Sequence, residues 1–394
     1  MKKSSTPLMA LTAAALSLPG IMPKTTQAQA VPEKYSVDYR FTHYKEDDQP
    51  ADKNSTNNSV ERYEIDVHQL GVVAPVSDTV SINLNASAET LSGASPWFII
   101  EGAEGEPVQV MSGATIEESR DEYGLAVNVY PGGKRIGLGI NRSTENDYQS
   151  TSFNINASLY LNDNNTTIDL GFTFSDDTVE PTQDASDTGR VIEEDKDSES
   201  LSIGFTQVIN KTLLLGGGMT FTNHDGYLSD PYKFTSVQSV LLRNSRPNRR
   251  EQYSVDLKAR KYFENLNGAL HSDYRFYDND WGVVSHTVSL GWYQNLANNW
   301  QLSTRLRWYD QSAANFYSNF FTQQRADGFY SSDYRLSAFG AISYRLTLTK
   351  RYEFGIFTIA YEDYDSGEGL DSDDDLNPGL VDFNFFTLGF GYTF

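Results

Sequence analysis

Along most of its length the chain alternates apolar and polar residues with a period of two. Tyr35, Val37, Tyr39 and Phe41 fall on one face, as do Tyr63, Ile65 and Val67. The same alternation runs through Val80 to Ala86, Tyr123 to Val129, Ile136 to Ile140, Phe153 to Leu159, Ile168 to Phe174 and Leu201 to Phe205. It continues through Leu213 to Phe221, Tyr253 to Leu257, Leu270 to Phe276, Val284 to Trp292 and Leu302 to Trp308. Tyr334–Ala338, Tyr352–Ile356 and a terminal run complete the series. Period two is the signature of strands with one apolar face, and the pattern predicts about sixteen strands, in a range of about 14–18.

The connections alternate in length. Short turns such as Tyr130-Pro131-Gly132-Gly133-Lys134 and Asn162-Asp163-Asn164-Asn165 hold the Gly, Asn, Asp and Pro residues of tight reversals. Between them lie longer segments, among them Thr90–Ser119, Asn223–Arg250 and Gln311–Ser331. This long–short rhythm predicts an all-β, transmembrane, antiparallel up-and-down β-barrel with short periplasmic turns and long extracellular loops. A β-sandwich also alternates, but its water-facing positions should be charged and it needs no such rhythm. Trp292, Tyr293, Trp300, Trp308 and Tyr309 stand near strand ends, where interfacial girdles form.

The two ends agree. Phe386, Leu388, Phe390, Tyr392 and Phe394 share a face, with Thr387, Gly389, Gly391 and Thr393 opposite. Gly389, Tyr392 and Phe394 form a run that resembles the C-terminal signal read by the barrel assembly machinery. At the start, Lys2 and Lys3 precede an apolar run from Leu8 to Leu18, and Ala28-Gln29-Ala30 fits a small-x-small cleavage site. Residues 1–30 therefore read as a secretory signal peptide, leaving 31–394 as the barrel. A short buried helix is the plain alternative, and the charged start and cleavage site argue against it.

Composition qualifies this picture. The chain has 394 residues, 53 acidic against 31 basic, a formal charge of −22 and no cysteine. Disulfides are excluded, and the negative charge argues against a nucleic-acid partner. The acid concentrates in presumed loops, and Asp371, Asp373 and Asp375 are candidate calcium ligands. That run lacks the Gly and distal Glu of a calcium loop, so solvated acidic loops are the plainer reading.

The face opposite the apolar one predicts the lumen. On the tenth to fourteenth strands it carries Lys258, Arg260, His271, Asp273 and Arg275, then Arg305, Arg307, Asp333 and Arg335. On the first two strands it carries Asp38 and Arg40, then Arg62, Glu64, Asp66 and His68. A basic arc could set a transverse field across a wet constriction. It could equally be salt-bridged packing of a closed barrel. The loop Asn223–Arg250 is a candidate plug, with Tyr227, Asp230 and Tyr232 at its start and Arg243, Arg246, Arg249 and Arg250 toward its return. His286 falls on the lipid face between Val284 and Val288. Either it lies near the outer interface or the register slips by one there.

Several stretches between residues 225 and 345 are distinctive. They include Asp225-Gly226-Tyr227-Leu228-Ser229-Asp230-Pro231-Tyr232-Lys233, Arg246-Pro247-Asn248-Arg249-Arg250 and Ala269-Leu270-His271-Ser272-Asp273-Tyr274-Arg275-Phe276-Tyr277. Asp280-Trp281-Gly282, Gln311 to Tyr317 and Ser331 to Ser337 follow. Together they resemble an uncharacterised domain-of-unknown-function family of Gram-negative outer-membrane barrels, a resemblance that implies fold and location and carries over no site residue. The sequence thus points to a porin-like channel for a small polar, potentially anionic, solute, with no cofactor. Outer-membrane lipid, lipopolysaccharide and the assembly machinery are the expected partners, and a homo-oligomer or a periplasmic partner stays open. The alternatives are a non-conducting barrel that scaffolds a partner complex and a barrel hydrolase. With no cysteine, five histidines and only His224-Asp225 at a strand–loop edge, no enzyme is expected.

Overall fold

The computed structural model describes residues 31–55, 60–112, 116–184, 187, 189–367 and 377–394. Residues 1–30, expected as a signal peptide, and the candidate calcium ligands Asp371, Asp373 and Asp375 lie outside these residues. In chain order the strands are β1 (Ser36–Glu46), β2 (Glu64–Ser77), β3 (Val80–Gly93), β4 (Pro96–Glu101), β5 (Pro107–Met111), β6 (Ile116–Val129) and β7 (Lys134–Thr144). They continue as β8 (Tyr148–Leu161), β9 (Thr166–Val179), β10 (Glu194–Asn210), β11 (Leu213–Gly226), β12 (Phe234–Val237), β13 (Val240–Arg243) and β14 (Arg249–Phe263). The last six are β15 (Gly268–Asn279), β16 (Val284–Asn295), β17 (Trp300–Gln311), β18 (Phe339–Tyr352), β19 (Gly355–Gly367) and β20 (Phe383–Thr393).

Sixteen of these strands close into one barrel, in chain order, and β4–β5 and β12–β13 form separate hairpins within two long loops. β20 returns antiparallel to β1, from Ser36↔Thr393 to Glu46↔Phe383. Closure pairs the ladder hydrogen bonds all round, which a bilayer requires of any spanning sheet. Tyr123, Leu125, Val127 and Val129 of β6 and Phe153 and Ile155 of β8 are exposed on the outside. Such a band would be an aggregation hazard in water and is the normal lipid face of a barrel.

The strands outrun the bilayer. β6, β8 and β9 have 14 residues and β10 has 17, against about 9–11 needed to span. The excess lies at the loop end, where outward positions turn acidic. Asp176, Asp197 and Asp225 are direct cross-strand partners on that outer surface.

Three expectations are corrected. First, β2 presents its other face: Tyr63, Ile65 and Val67 point inward and are buried, and Glu64, Asp66 and His68 point outward. Pairing with β1 fixes this, because Thr42↔Val67 and Tyr44↔Ile65 share the inner face. Tyr63, Ile65 and Val67 join Tyr44, Leu91 and Phe385 in an apolar cluster inside the barrel. Outside, His43 Nδ1 lies 2.8 Å from Asp66 Oδ1.

Second, Tyr334–Leu336 is not a strand but a 3-10 turn whose N-cap Asp333 accepts from the Arg335 backbone N–H. The fourteenth barrel strand starts later, at Phe339, and runs to Tyr352, so the stretch Tyr352–Ile356 expected as a strand spans the turn into β19. Third, Arg249 faces outward at the start of β14, where it pairs with Glu251. The predicted register around His286 holds: it pairs with Phe276 and Asp310 on the outer face near the loop end, and its Nδ1 is 2.9 Å from Tyr274 OH.

Candidate functional site

Two inner walls differ in kind. Across β6 to β10 the inward positions are mostly Gly, Ser, Thr and Asn. The Asn154 and Asn156 amides lie flat over Gly139 and Gly137, where an added Cβ would come within 2.6 Å of each. Glycine there leaves room for the neighbouring amide, so this wall is flat and wettable at those positions, and it carries paired charges, Lys196 with Asp177 and Arg120 with Glu89. Across β14 to β18 the inward positions carry long cations and tyrosines. Arg305 and Arg345 are direct cross-strand partners, and Arg305 donates to Tyr293 OH at 3.2 Å. His271 stacks on Tyr293 with centroids 4.1 Å apart.

The basic arc is paired with carboxylates in some places and not in others. Near mid-wall the charges are paired: Arg260 Nη2 to Asp273 Oδ1 is 2.6 Å and Arg275 Nε to Asp256 Oδ1 is 3.4 Å. Arg345 Nη1 reaches Glu362 Oε2 at 3.4 Å. Arg250 and Arg307 differ, because neither has a carboxylate within salt-bridge distance among the described residues.

Above these walls the long loops knit into a cap. Its hub is Asp333, whose side chain is fully buried. Lys233 Nζ lies 3.3 Å from Oδ1, Arg246 Nη2 lies 2.7 Å from Oδ2, and Arg335 Nε donates to Oδ1 at 2.9 Å. Burial alone would raise this carboxyl, but Arg335, Lys233 and Arg246 outweigh it and hold Asp333 well below the usual carboxylate range. Arg335 also reaches Asp230 Oδ2 at 3.2 Å.

Around the hub the hairpins lock together. Trp97 Nε1 donates to the Tyr232 carbonyl at 2.9 Å, and isolated bridges join Val237 to Phe321 and Ser245 to Tyr330. Tyr232 OH donates to Asp147 Oδ2 at 2.6 Å, tying the cap to the β7–β8 loop. On the far side Arg62 donates to Glu46, Gln49 and the Gly379 carbonyl.

Beneath the cap, between Leu336 and the basic wall, lies a cavity of about 410 Å3. Arg250, Arg275, Arg307 and Arg335 line it, and no carboxylate does. Trp281 holds Arg250 from one side, with the guanidinium 5.0 Å from the ring centroid. Arg250 Nε is buried with no hydrogen-bond partner.

The candidates drawn from sequence sort as follows. Arg275, Arg307, Arg250 and Arg335 meet at the cavity. Tyr227, Asp230, Tyr232, Arg243 and Arg246 lie in the cap, and Arg243 pairs with Asp187. Lys258, Arg260, His271, Asp273 and Arg305 lie along the wall and do not line the cavity. Sequence reasoning missed Arg345, Tyr277 and Asp147, and it placed Tyr293 and Tyr309 in interfacial girdles, whereas both face inward, Tyr293 against Arg305 and Tyr309 at the cavity. Arg345 was legible from the alternation of Ile342, Tyr344, Leu346 and Leu348, whereas a lone Asp in a short loop gives no signal.

One arrangement bears on hydrolysis. Ser198 Oγ lies 2.7 Å from His224 Nδ1 on the inner face of β10 and β11. His224 Nε2 is buried without a partner, and Arg250 is its cross-strand neighbour. A general base must become imidazolium, and that adjacent guanidinium opposes the charge.

Residues 8–367 match the family described as "Protein of unknown function (DUF3570)". The chain belongs to this family. No curated protein matches. Among solved structures, CdiB from Acinetobacter baumannii aligns with a TM-score of 0.52 at 10% identity, over 92% of this chain and 60% of that one. A bacterial polysaccharide outer membrane secretin aligns at 0.49 and 7% identity, over 91% of this chain and 98% of that one. OpdQ from Pseudomonas aeruginosa aligns at 0.43 and 8% identity, over 92% and 98%. At such identities the likeness concerns the barrel fold alone. For this DUF3570 member, function has to be argued from its own lumen.

Proposed function

We propose that the chain is exported through a leader at residues 1–30, inserts into the Gram-negative outer membrane and conducts small polar anionic solutes by passive diffusion. The observation that carries this reading is the cavity lined by Arg250, Arg275, Arg307 and Arg335 with no carboxylate. In a chain with 53 acidic and 31 basic residues, a cavity whose charged lining residues are all cations is a concentrated exception. Facing it across the lumen, the Asn, Ser and Gly wall supplies wettable surface on which Lys196 is paired with Asp177 and Arg120 with Glu89. A field pointing from one wall to the other favours anions. The C-terminal Gly389, Tyr392 and Phe394 would engage the assembly machinery, and the acidic outer rim would meet lipopolysaccharide. A non-enzymatic role accords with the charge beside His224.

The cap supports a second reading, a barrel that holds solute without conducting. Single-channel recording of the folded protein in a planar bilayer separates the two. Discrete steps with an anion preference that falls in the Arg305→Ala/Arg307→Ala variant support the channel. A folded but silent barrel overturns it.

A further inference from the structure

The cavity beneath the cap is more specific than an anion path requires. Arg250 and Arg307 reach it as guanidiniums with no protein carboxylate, and Arg250 is held rigid against Trp281. A buried guanidinium left without a counter-ion is costly, and a chain rich in carboxylates had ready means to pair it. The planar fork of an arginine suits a carboxylate or another oxyanion.

The remaining lining is neutral and rich in hydrogen-bonding groups. Tyr277 and Tyr309 bring phenol hydroxyls, and Thr222, Ser254 and Ser285 bring aliphatic ones. Amides come from Gln252, Asn279 and Gln311, and the aliphatic surface is confined to Val283 and Leu336. Tyr277 OH donates to Gln252 and accepts from Asn279, and Tyr309 OH donates to Gln311, so the lining is a pre-set network whose remaining lone pairs, with the Thr220 and Thr287 hydroxyls, suit a polyol better than a bare inorganic anion. The rings of Tyr277 and Tyr309 add apolar faces on which a sugar ring can lie. A ligand that satisfies it carries one negative group and several hydroxyls. A volume of about 410 Å3 falls in the usual span of small-molecule sites, about 300–1,000 Å3, and admits one or two sugar rings.

We propose that this cavity is a binding site for an anionic carbohydrate, a sugar acid of one or two rings. Its carboxylate sits between Arg250 and Arg307, and its hydroxyls face Tyr277, Tyr309 and the Thr and Ser side chains. The proposal deepens the channel reading and rests on it for the direction from which solute arrives.

Calorimetric titration of the folded full-length mature protein in detergent with glucuronate tests it, with glucose, acetate and inorganic phosphate as comparators. Glucuronate is expected to saturate at one per chain. Glucose lacks the carboxylate and acetate lacks the hydroxyls, so each should bind at least about tenfold more weakly. Arg307→Gln and Arg250→Gln should each cost about tenfold in glucuronate affinity, and Arg307→Lys should retain part of it. Arg250 is tightly packed, so if its variant fails to fold, the half-buried Arg307 pair carries the test.

Equal binding of glucose, equal binding of acetate, tighter binding of phosphate, or affinity indifferent to Arg307→Gln would each overturn the sugar-acid site. The channel reading fails separately. Anion-selective conductance without glucuronate binding removes only the site, and glucuronate binding by a silent barrel removes only the channel.

Discussion

The two inner walls of this barrel share backbone geometry and differ in almost everything else. From β6 to β10, Gly137 and Gly139 let Asn156 and Asn154 lie against the sheet, so the wall is flat there, and its charges Lys196 and Arg120 are paired with Asp177 and Glu89. From β14 to β18, Arg305, Arg307 and Arg345 project from the same kind of ladder. One wall keeps the lumen wet, and the other gives it a sign. A chain with a net charge of −22 can still gather arginines on one inner wall. Acidic residues such as Asp176, Asp197 and Asp225 gather on the outer rim, and the inner carboxylates Asp256, Asp273 and Glu362 are each paired with an arginine.

The largest test of this contrast removes the cap's hub. Asp333→Asn leaves Lys233, Arg246 and Arg335 buried together without their shared counter-ion, a loss of about 3–5 kcal/mol for a broken buried pair. The cap is expected to open while the barrel stays folded, seen as new protease cleavage between residues 227 and 248 and a rise in conductance. If anion preference survives that opening, the wall alone sets it; if the cap stays resistant, Asp333 is not its hub.

Next comes pH. Glu145, in the β7–β8 loop, is pushed up to about 8 by burial, with Asp147, Glu89 and Glu118 adding to the rise and Arg120 opposing it. Its folded-state value stands above its ordinary 4.5, so the folded protein keeps a proton that the unfolded chain gives up. Its stabilising contribution is complete below about 4.5 and is lost as pH rises through about 8. The attachment of this loop to the cap should loosen over that interval, and proteolysis rates compared at either end of it read the change. Glu145→Gln should flatten the profile, and an unchanged profile would remove Glu145 from the account.

A smaller effect is expected from Tyr232→Phe, which deletes the 2.6 Å hydrogen bond to Asp147 and costs about 1 kcal/mol. Faster cleavage within the cap hairpins is the readout. The smallest concerns the Asn, Ser and Gly wall: Asn154→Ala should leave ion selectivity where it was. A shift comparable to that of Arg305→Ala/Arg307→Ala would erase the distinction between the walls.

Period-two alternation made most strands legible, because a lipid face must be apolar and a wet face cannot be. It misled where the inside is itself apolar. Tyr63, Ile65 and Val67 look lipid-facing in sequence, yet they pack on Tyr44 and Phe385 inside the barrel. Tyr334, Leu336 and Ala338 alternate like a strand, but Asp333 caps a tight turn there. In both places loops fold into the barrel mouth and create a local core, so hydrophobicity no longer reports lipid.

By itself the sequence determined the all-β barrel, the rhythm of short turns and long loops, the orientation of the terminal strand and a basic inner arc. Those follow from local periodicity and from the solvent that each face meets. Which arginines are neutralised and which are left to a cavity was decided by tertiary structure alone. That outcome depends on cross-strand register and on how loops far apart in the chain converge on Asp333, and neither is encoded in any local pattern.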